Sequence, residues 1–411
     1  MEYSCGEEFD VIVVGAGIMG SSTAYQLAKR GQNTLLLEQF DFLHHCGSSH
    51  GESRTLRATY RQDYYGTMVL ESSQLWEKAE NEIGFKVYFK GHHFDMGPVD
   101  DRSLSAIISS CGKNSIPYRV LNHREVAEQF SGRIDIPDNW IGVRTELGGI
   151  IKPTKAVSMF QTLAIQNGAV LRDHMEVKNI VKDKDKGGIW VFTVNGEKFW
   201  AKKCVVTAGA WTSRLIKKFS GIELPIEPLE TMVCYWRIKE GKEKEFTLGG
   251  GFPTFASYGE PRVYGTPAFE FPGLIKIAVH GGQLCDPDNR PWGPGVSLSL
   301  VKEWIGRTLM GQVDCERPVA TQLCMYSVTP DEDFVIDFVG GEFGKDVVVG
   351  GGFSGHGFKM GPVVGRILAD LALEGEAKGV ELKHFGIRRF EDSPGGNVKD
   401  FGDELGNLKL N

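Results

Sequence analysis

The most constraining stretch of the chain is its first forty residues. Phe9-Asp-Val-Ile-Val-Val14 is an apolar, β-branched run of strand length. It leads directly into Gly15-Ala-Gly17-Ile18-Met19-Gly20. Ala24, Leu27 and Ala28 then recur at helical spacing, and Gly31 stands where a helix C-cap belongs. Thr34 to Leu37 reads as a second strand, closed by Glu38 and Gln39. Strand, Gly-x-Gly-x-x-Gly, helix, strand and terminal acid form the dinucleotide-binding fingerprint. Gly15 permits the tight turn, Gly17 a close approach of backbone to pyrophosphate, and Gly20 close packing of helix on sheet. The helix N-terminus offers N–H groups to the phosphates. Glu38 suits a ribose hydroxyl and disfavours a 2′-phosphate, which argues against NADP. The fingerprint alone does not separate NAD from FAD.

The rest of the composition excludes several classes. With 411 residues the chain is long enough for two domains. A net charge of −7 argues against nucleic acid and anionic membrane surfaces as partners. No apolar run is long enough to span a bilayer. The acidic N-terminus runs straight into the first strand, so no signal or transit peptide is expected. The last residues, Leu408-Lys-Leu-Asn411, are not a clear peroxisomal signal. The eight cysteines include no C-x-x-C pair, which fits reduced thiols and no metal site.

Downstream of Glu38, a loop of small and polar residues, Gly47-Ser48-Ser49-His50-Gly51-Glu52-Ser53, precedes Arg54 and Arg57. Such a loop suits cofactor contact. Arg54 and Arg57 are three apart, so on a helical turn they share a face. One can neutralise the cofactor while the other grips a carboxylate bidentately; a solvated basic face is the bland alternative. A helix follows over about 68–84, then short strands at 86–89 and 91–96 and helices near 102–112 and 123–130. The texture of the first part returns at 148, with a helix near 154–166 and a hairpin that includes Val177. Lys203-Cys-Val-Val-Thr-Ala208-Gly209-Ala-Trp211 is a buried strand ending in small residues. That ending, far downstream of the first motif, is typical of FAD enzymes.

Residues 221–320 read as β-rich. On a strand near 273–279, alternation puts Lys276, Ala278 and His280 on one face. Taken alone, Lys276 reads most simply as a solvent-facing lysine on an edge strand. Cys324 reads as a small buried hydrophobe. Val347 to Gly361 passes from an apolar strand through a glycine-rich turn, with Gly355, His356, Gly357 and Lys359, into a helix that starts at Pro362. So many glycines bring the backbone close to something flat, and His356 and Lys359 should project toward it. Residues beyond about 392 are expected to fray.

Taken together, FDVIVVGAGIMG, GSSHGESRTLR, VVTAGAW, CMYSVTPDEDFVID and GGFSGHGFK resemble the monomeric sarcosine oxidase family, within the D-amino-acid-oxidase and glycine-oxidase flavoenzymes. The resemblance runs nearly the whole chain. It implies an α/β fold: a Rossmann-type FAD-binding domain from residues 1–80, 148–220 and 322–392, interleaved with an α+β, mixed-sheet substrate domain from 81–147 and 221–321, and a tail at 393–411. It implies FAD held covalently through Cys324, with Gly15, Gly17, Ile18, Met19, Gly20, Glu38, Gln39, Ser48, Ser53, Arg54, Val177, Ala208, Gly209, Trp211, Gly355, Gly357 and Lys359 about the cofactor. It implies that Arg57 and Lys359 bind the substrate carboxylate beside Tyr264, and that Lys276 activates dioxygen. His280, Arg54, Tyr326 and His356 complete the implied catalytic set. The implied reaction is oxidation of a small secondary α-amino acid by dioxygen to an imine and hydrogen peroxide, in a monomer of the cytoplasm or peroxisome. The sequence departs from a bacterial relative at Ser49 and Asp333, where that relative has histidine, and in a longer segment between Tyr264 and Lys276. Oxidation of a larger or cyclic amine, or a dehydrogenase of the same fold, therefore stays open.

Overall fold

The structure, a computed structural model, describes residues 7–289 and 298–399. Strand β1 (Glu7–Val14) lies in the middle of an eight-stranded sheet, and Val11, Ile12 and Val13 are buried on both faces. This is why its sequence is continuously apolar rather than alternating. Helix α1 (Ile18–Lys29) follows, and β2 (Thr34–Leu37) returns parallel to β1. On the other side of β1 runs Lys198–Val206, and beyond it Val347–Gly351, both parallel. Val335–Phe338 closes that edge antiparallel, and Val170–Arg172 closes the other. The expected hairpin is Val177–Lys182 with Ile189–Thr193, stacked on the edge of Lys198–Val206. Helix α1 packs between Pro153–Gln166 and Gly361–Glu374. Their apolar faces merge with one side of the sheet into a single core.

The second sheet has ten strands and is mixed, as expected of a substrate domain. Two changes from the sequence reading matter for the site. Residues 54–57 are not a helical turn. They form strand β3 (Arg54–Arg57), which pairs with Trp140–Ile151 at the sheet edge and buries Leu56. Pairing with a glycine-bearing partner (Gly148 and Gly149) decides the conformation of so short a segment, not its own propensity. Second, the two short strands expected at 86–96 are one strand, β4 (Tyr88–Pro98), with a register shift between Gly91 and His93. Helix α2 (Tyr64–Ile83) connects β3 to β4 and ends at Gly84, whose φ of 86° makes the left-handed cap. The second sheet also takes Ala320–Val328, which pairs with Glu227–Arg237. The chain thus crosses between sheets within the segments around both β3 and Cys324.

Residues 393–399 are anchored, not frayed. Asn397 donates its backbone N–H to Asp331 (2.9 Å) and its side-chain amide to Asp333 (2.8 Å), and Lys399 reaches the Asp331 carbonyl. The buried acids of the 331–333 turn require donors, and this segment supplies them alongside Arg389, Tyr64 and Tyr65. The rest of the expected tail lies outside the described residues. Among those described, no helix is long and apolar enough to cross a membrane.

Candidate active site

A cavity of about 670 Å³ runs between the two sheets. One end is built by the β1–α1 turn. Gly15 has φ of 96°, and a Cβ there would lie 2.5 Å from the Thr207 carbonyl oxygen. Thr207 ties the neighbouring strand to the same turn through the carbonyls of Val14 (3.0 Å) and Gly15 (3.2 Å). A Cβ on Gly20 would lie 1.8 Å from the Gly15 oxygen, so helix and turn are in contact. Gly17 is the N-cap and makes no side-chain cap bond, which leaves the end of α1 open toward the cavity. Ser49 Oγ accepts from Ile18 N–H (3.1 Å). Glu38 is buried. One carboxylate oxygen accepts from Ala16 N–H (2.8 Å) and the other from Phe40 N–H (3.1 Å), so Glu38 braces the turn as well as facing the cavity. Gln39, Ser48, Met19, Val177, Ala208, Gly209 and Trp211 line the same end. Gly20 and Ser53, both expected to touch a cofactor, do not reach the wall. Gly20 packs on Gly15, and Ser53 turns its hydroxyl toward Thr266 (3.5 Å).

The middle of the cavity gathers Arg54, Lys276 and Cys324 from three separated stretches. Arg54 donates to the carbonyls of Ser48 (3.0 Å), His50 (2.7 Å) and Ser53 (2.9 Å), and its Nη2 lies 3.5 Å from Cys324 Sγ. Lys276 sits on Leu274–Val279, an interior strand, and is 4% exposed, so the edge-strand reading does not hold. Its Nζ donates to the Ser53 carbonyl (3.0 Å) and stands 5.7 Å from the Tyr264 ring. Burial, then the charge on Arg54, brings its pKa down to about 7. As alternation requires, His280 follows on the same face. Its Nδ1 lies 3.3 Å from Tyr326 Oη, and burial lowers its pKa to about 4, so it is a neutral imidazole at neutral pH. Gly355 lies against Tyr326, where a Cβ would come within 2.8 Å of the ring; a Cβ on Gly357 would lie 2.5 Å from Phe353.

The far end holds the second pair of cations. Lys359 Nζ donates to the His356 carbonyl (2.8 Å) and to Tyr60 Oη (3.1 Å). Its own carbonyl accepts from Ser72 (2.6 Å) and Trp76 (2.9 Å), which fixes the turn against α2. Arg57 stacks 4.8 Å from the Tyr60 ring centre and donates to the Thr59 carbonyl. Burial and Arg57 push the Lys359 ammonium well below its usual range, whereas Tyr258, Asp95 and Tyr60 hold Arg57 charged against its own burial. The His356 ring spans Tyr60 Oη (3.2 Å) and the Glu332 carbonyl (2.9 Å), which commits both nitrogens. It therefore braces Tyr60 and the turn rather than offering a free nitrogen. Sequence reasoning missed Tyr60, Tyr258 and the buried pair His93–Asp95 (3.2 Å). One signal was available: Asp95 is an acid between Phe94 and Met96 on a strand, where a buried carboxylate needs a cation nearby.

The wall fits a flavin dinucleotide: an open helix end and bare glycines where phosphates approach, and glycines with aromatic neighbours where a flat ring lies. Residues 10–371 match the family described as FAD dependent oxidoreductase. The chain is 68% identical over 408 residues to the probable sarcosine oxidase of Arabidopsis thaliana, covering 98% of each. It is 34% identical to the peroxisomal sarcosine oxidase of Homo sapiens, covering 93% of this chain and 96% of that one. The monomeric sarcosine oxidase of Bacillus sp. (strain NS-129) is 32% identical, with 90% and 94% covered. Among solved structures, NikD, an unusual amino acid oxidase essential for nikkomycin biosynthesis, superposes with a TM-score of 0.78 at 26% identity, covering 93% of this chain and 98% of that chain. A fingerprint turn, a flavin-sized cavity and a whole-length match agree, and the chain belongs to the FAD-dependent oxidoreductases as an amine oxidase of the sarcosine oxidase type.

Proposed function

We propose that the chain oxidises a small secondary α-amino acid, sarcosine or a close relative such as L-pipecolate, and reduces dioxygen to hydrogen peroxide. The observation that carries this reading is the pair Arg57 and Lys359, a half-buried guanidinium and a buried amine at the end of the cavity. A carboxylate between them restores the charge balance that Lys359 lacks, and each charge-assisted bond contributes roughly 1.5–3 kcal/mol. Held there, the substrate turns its amine toward His280 and Tyr326. His280 is neutral and accepts rather than repels the amine N–H, and the surrounding positive charge favours the amine in its unprotonated form. FAD held along the β1–α1 turn and the Gly355–Lys359 turn would supply the two-electron chemistry that oxidises the carbon beside nitrogen at the expense of dioxygen. Lys276, in the middle of the cavity beside Arg54 and Cys324, supplies positive charge where reduced oxygen develops. Cys324, whose sulfur faces the cavity beside Arg54, carries the cofactor through a thioether. Sarcosine, water and dioxygen then give glycine, formaldehyde and hydrogen peroxide. We read the protein as a monomer of the cytoplasm or peroxisome, in keeping with the names of its bacterial and human relatives. The test is the visible spectrum of the purified protein mixed anaerobically with sarcosine, L-pipecolate, L-proline and N-methyltryptophan. Bleaching by sarcosine or L-pipecolate with colour returning in air is expected; a flavin that none of them bleaches would reject the substrate class.

A further inference from the structure

The clamp accounts for Arg57 and Lys359 but not for all the charge at that end of the cavity. Arg61 and Arg262 also stand on its wall. Arg61 Nη2 lies 3.3 Å from Glu332 Oε2, and the two side chains are 14% and 7% exposed. Arg262 immediately precedes Val263–Thr266, the strand that carries Tyr264, and its carbonyl accepts from His280 N–H (2.9 Å). Its Nε is buried without a hydrogen-bond acceptor, and it has no ion pair among the described residues. Both arginines act on His280 together with Arg57, and Glu332 opposes them.

The balance is uneven. Asp95, hydrogen-bonded to His93, holds Arg57 charged at longer range, and Glu332 pairs with Arg61. A substrate carboxylate answers Lys359. Arg262 is left with no counterion, in a chain whose net charge is −7. Glu332 itself has φ of 58°, a left-handed conformation that a non-glycine side chain adopts under strain. The His356 bond to its carbonyl holds it there. Strain of this kind at a cavity wall marks a placed side chain, and here it sets Glu332 against Arg61 on the cavity wall.

We propose that Arg262 and Arg61 form a second anion subsite, and that the preferred substrate is a secondary α-amino acid whose side chain bears a second carboxylate. This rests on reading the cavity as an amino-acid site. A side-chain carboxylate supplies the counter-charge that the half-buried Arg262 guanidinium lacks among the described residues, whereas a neutral side chain of the same size does not.

The test compares kcat/KM for N-methyl-L-glutamate and N-methyl-L-glutamine in the flavin-loaded enzyme, with sarcosine as reference. The pair differs in charge at nearly constant shape. A preference of about tenfold or more for the glutamate is expected from one charge-assisted bond. Arg262→Met should bring the ratio to about one, and Arg262→Lys should keep part of it. A wild-type ratio near one, or a ratio unmoved by Arg262→Met, overturns the proposal; if that variant fails to fold, the wild-type ratio decides. Should sarcosine and both N-methyl compounds go unoxidised, the proposed reaction fails rather than the subsite. The subsite is then read from the flavin absorbance titrated with glutarate and with butyrate, and equal affinities overturn it.

Discussion

Replacing Lys276 with methionine keeps most of the buried volume and removes the charge. An ordinary lysine titrates near 10.5, but Lys276 in this fold titrates at about 7, first because burial strips water from the ammonium and then because Arg54 repels it. Below pH 7 the proton is on in both the folded and unfolded chain, and the buried ammonium disfavours the fold by about 5 kcal/mol. Between pH 7 and 10.5 the unfolded chain binds the proton and the folded chain does not, so wild-type stability rises with pH across that window. Above it the penalty is gone. The 3.0 Å bond to the Ser53 carbonyl offsets part of the penalty, by about 1–1.5 kcal/mol. Lys276→Met is therefore expected to be more stable than wild type by about 3 kcal/mol at pH 6.5, with the gain vanishing by pH 10.5. Denaturant melts of the two flavin-loaded proteins at several pH values measure this.

The same substitution should damage turnover in one half of the cycle. A unit charge about 4 Å from developing superoxide contributes about 4 kcal/mol at an effective dielectric near 20. Its loss should slow reoxidation in air by about 10²–10³-fold. Reduction by substrate, whose carboxylate the proposed clamp of Arg57 and Lys359 would hold elsewhere, should change far less. Stopped-flow absorbance separates the two. Equal slowing of both half-reactions would refute the oxygen role, and a stability difference that is the same at pH 6.5 and 10.5 would refute the buried-charge argument.

Three further outcomes are expected. Acid precipitation should give a yellow pellet from wild type and a colourless one from Cys324→Ala; a colourless wild-type pellet would reject the covalent link. Arg57→Met should raise the Michaelis constant of every carboxylate substrate by about 10–100-fold, and should destabilise the protein because Asp95 loses its cation; steady-state kinetics and melts read both. Gly20→Ala puts a Cβ 1.8 Å from the Gly15 oxygen, so it should lose about 3 kcal/mol or more and purify with less flavin, as absorbance per protein would report.

What the sequence revealed and what it hid divide along a physical line. The β1–α1 turn was legible because each glycine answers a local demand: a positive φ at Gly15, a contact at Gly20. The strand alternation of Lys276 and His280 was legible for the same reason, although its solvent-facing reading failed, since burial depends on Leu274–Val279 having neighbours on both sides. Arg54 and Arg57 both line the cavity, but from a strand and not a helical turn, because a four-residue segment takes its conformation from its partner strand. Tyr60 and Arg61 were missed because their partners lie hundreds of positions away: Tyr60 meets Lys359, and Arg61 meets Glu332. Nothing local marks a tyrosine that must hold a lysine, or a tail segment that must satisfy Asp331 and Asp333. Charge bookkeeping does mark them once the fold is known. Each buried charge must be answered, by a protein group or by what the cavity takes in. At this site Asp95 holds Arg57 charged and Glu332 pairs with Arg61, while buried Lys359 and half-buried Arg262 have no acid partner among the described residues. On the proposed reading, that pair, more than the cavity's shape, would direct an anionic substrate to this end of it.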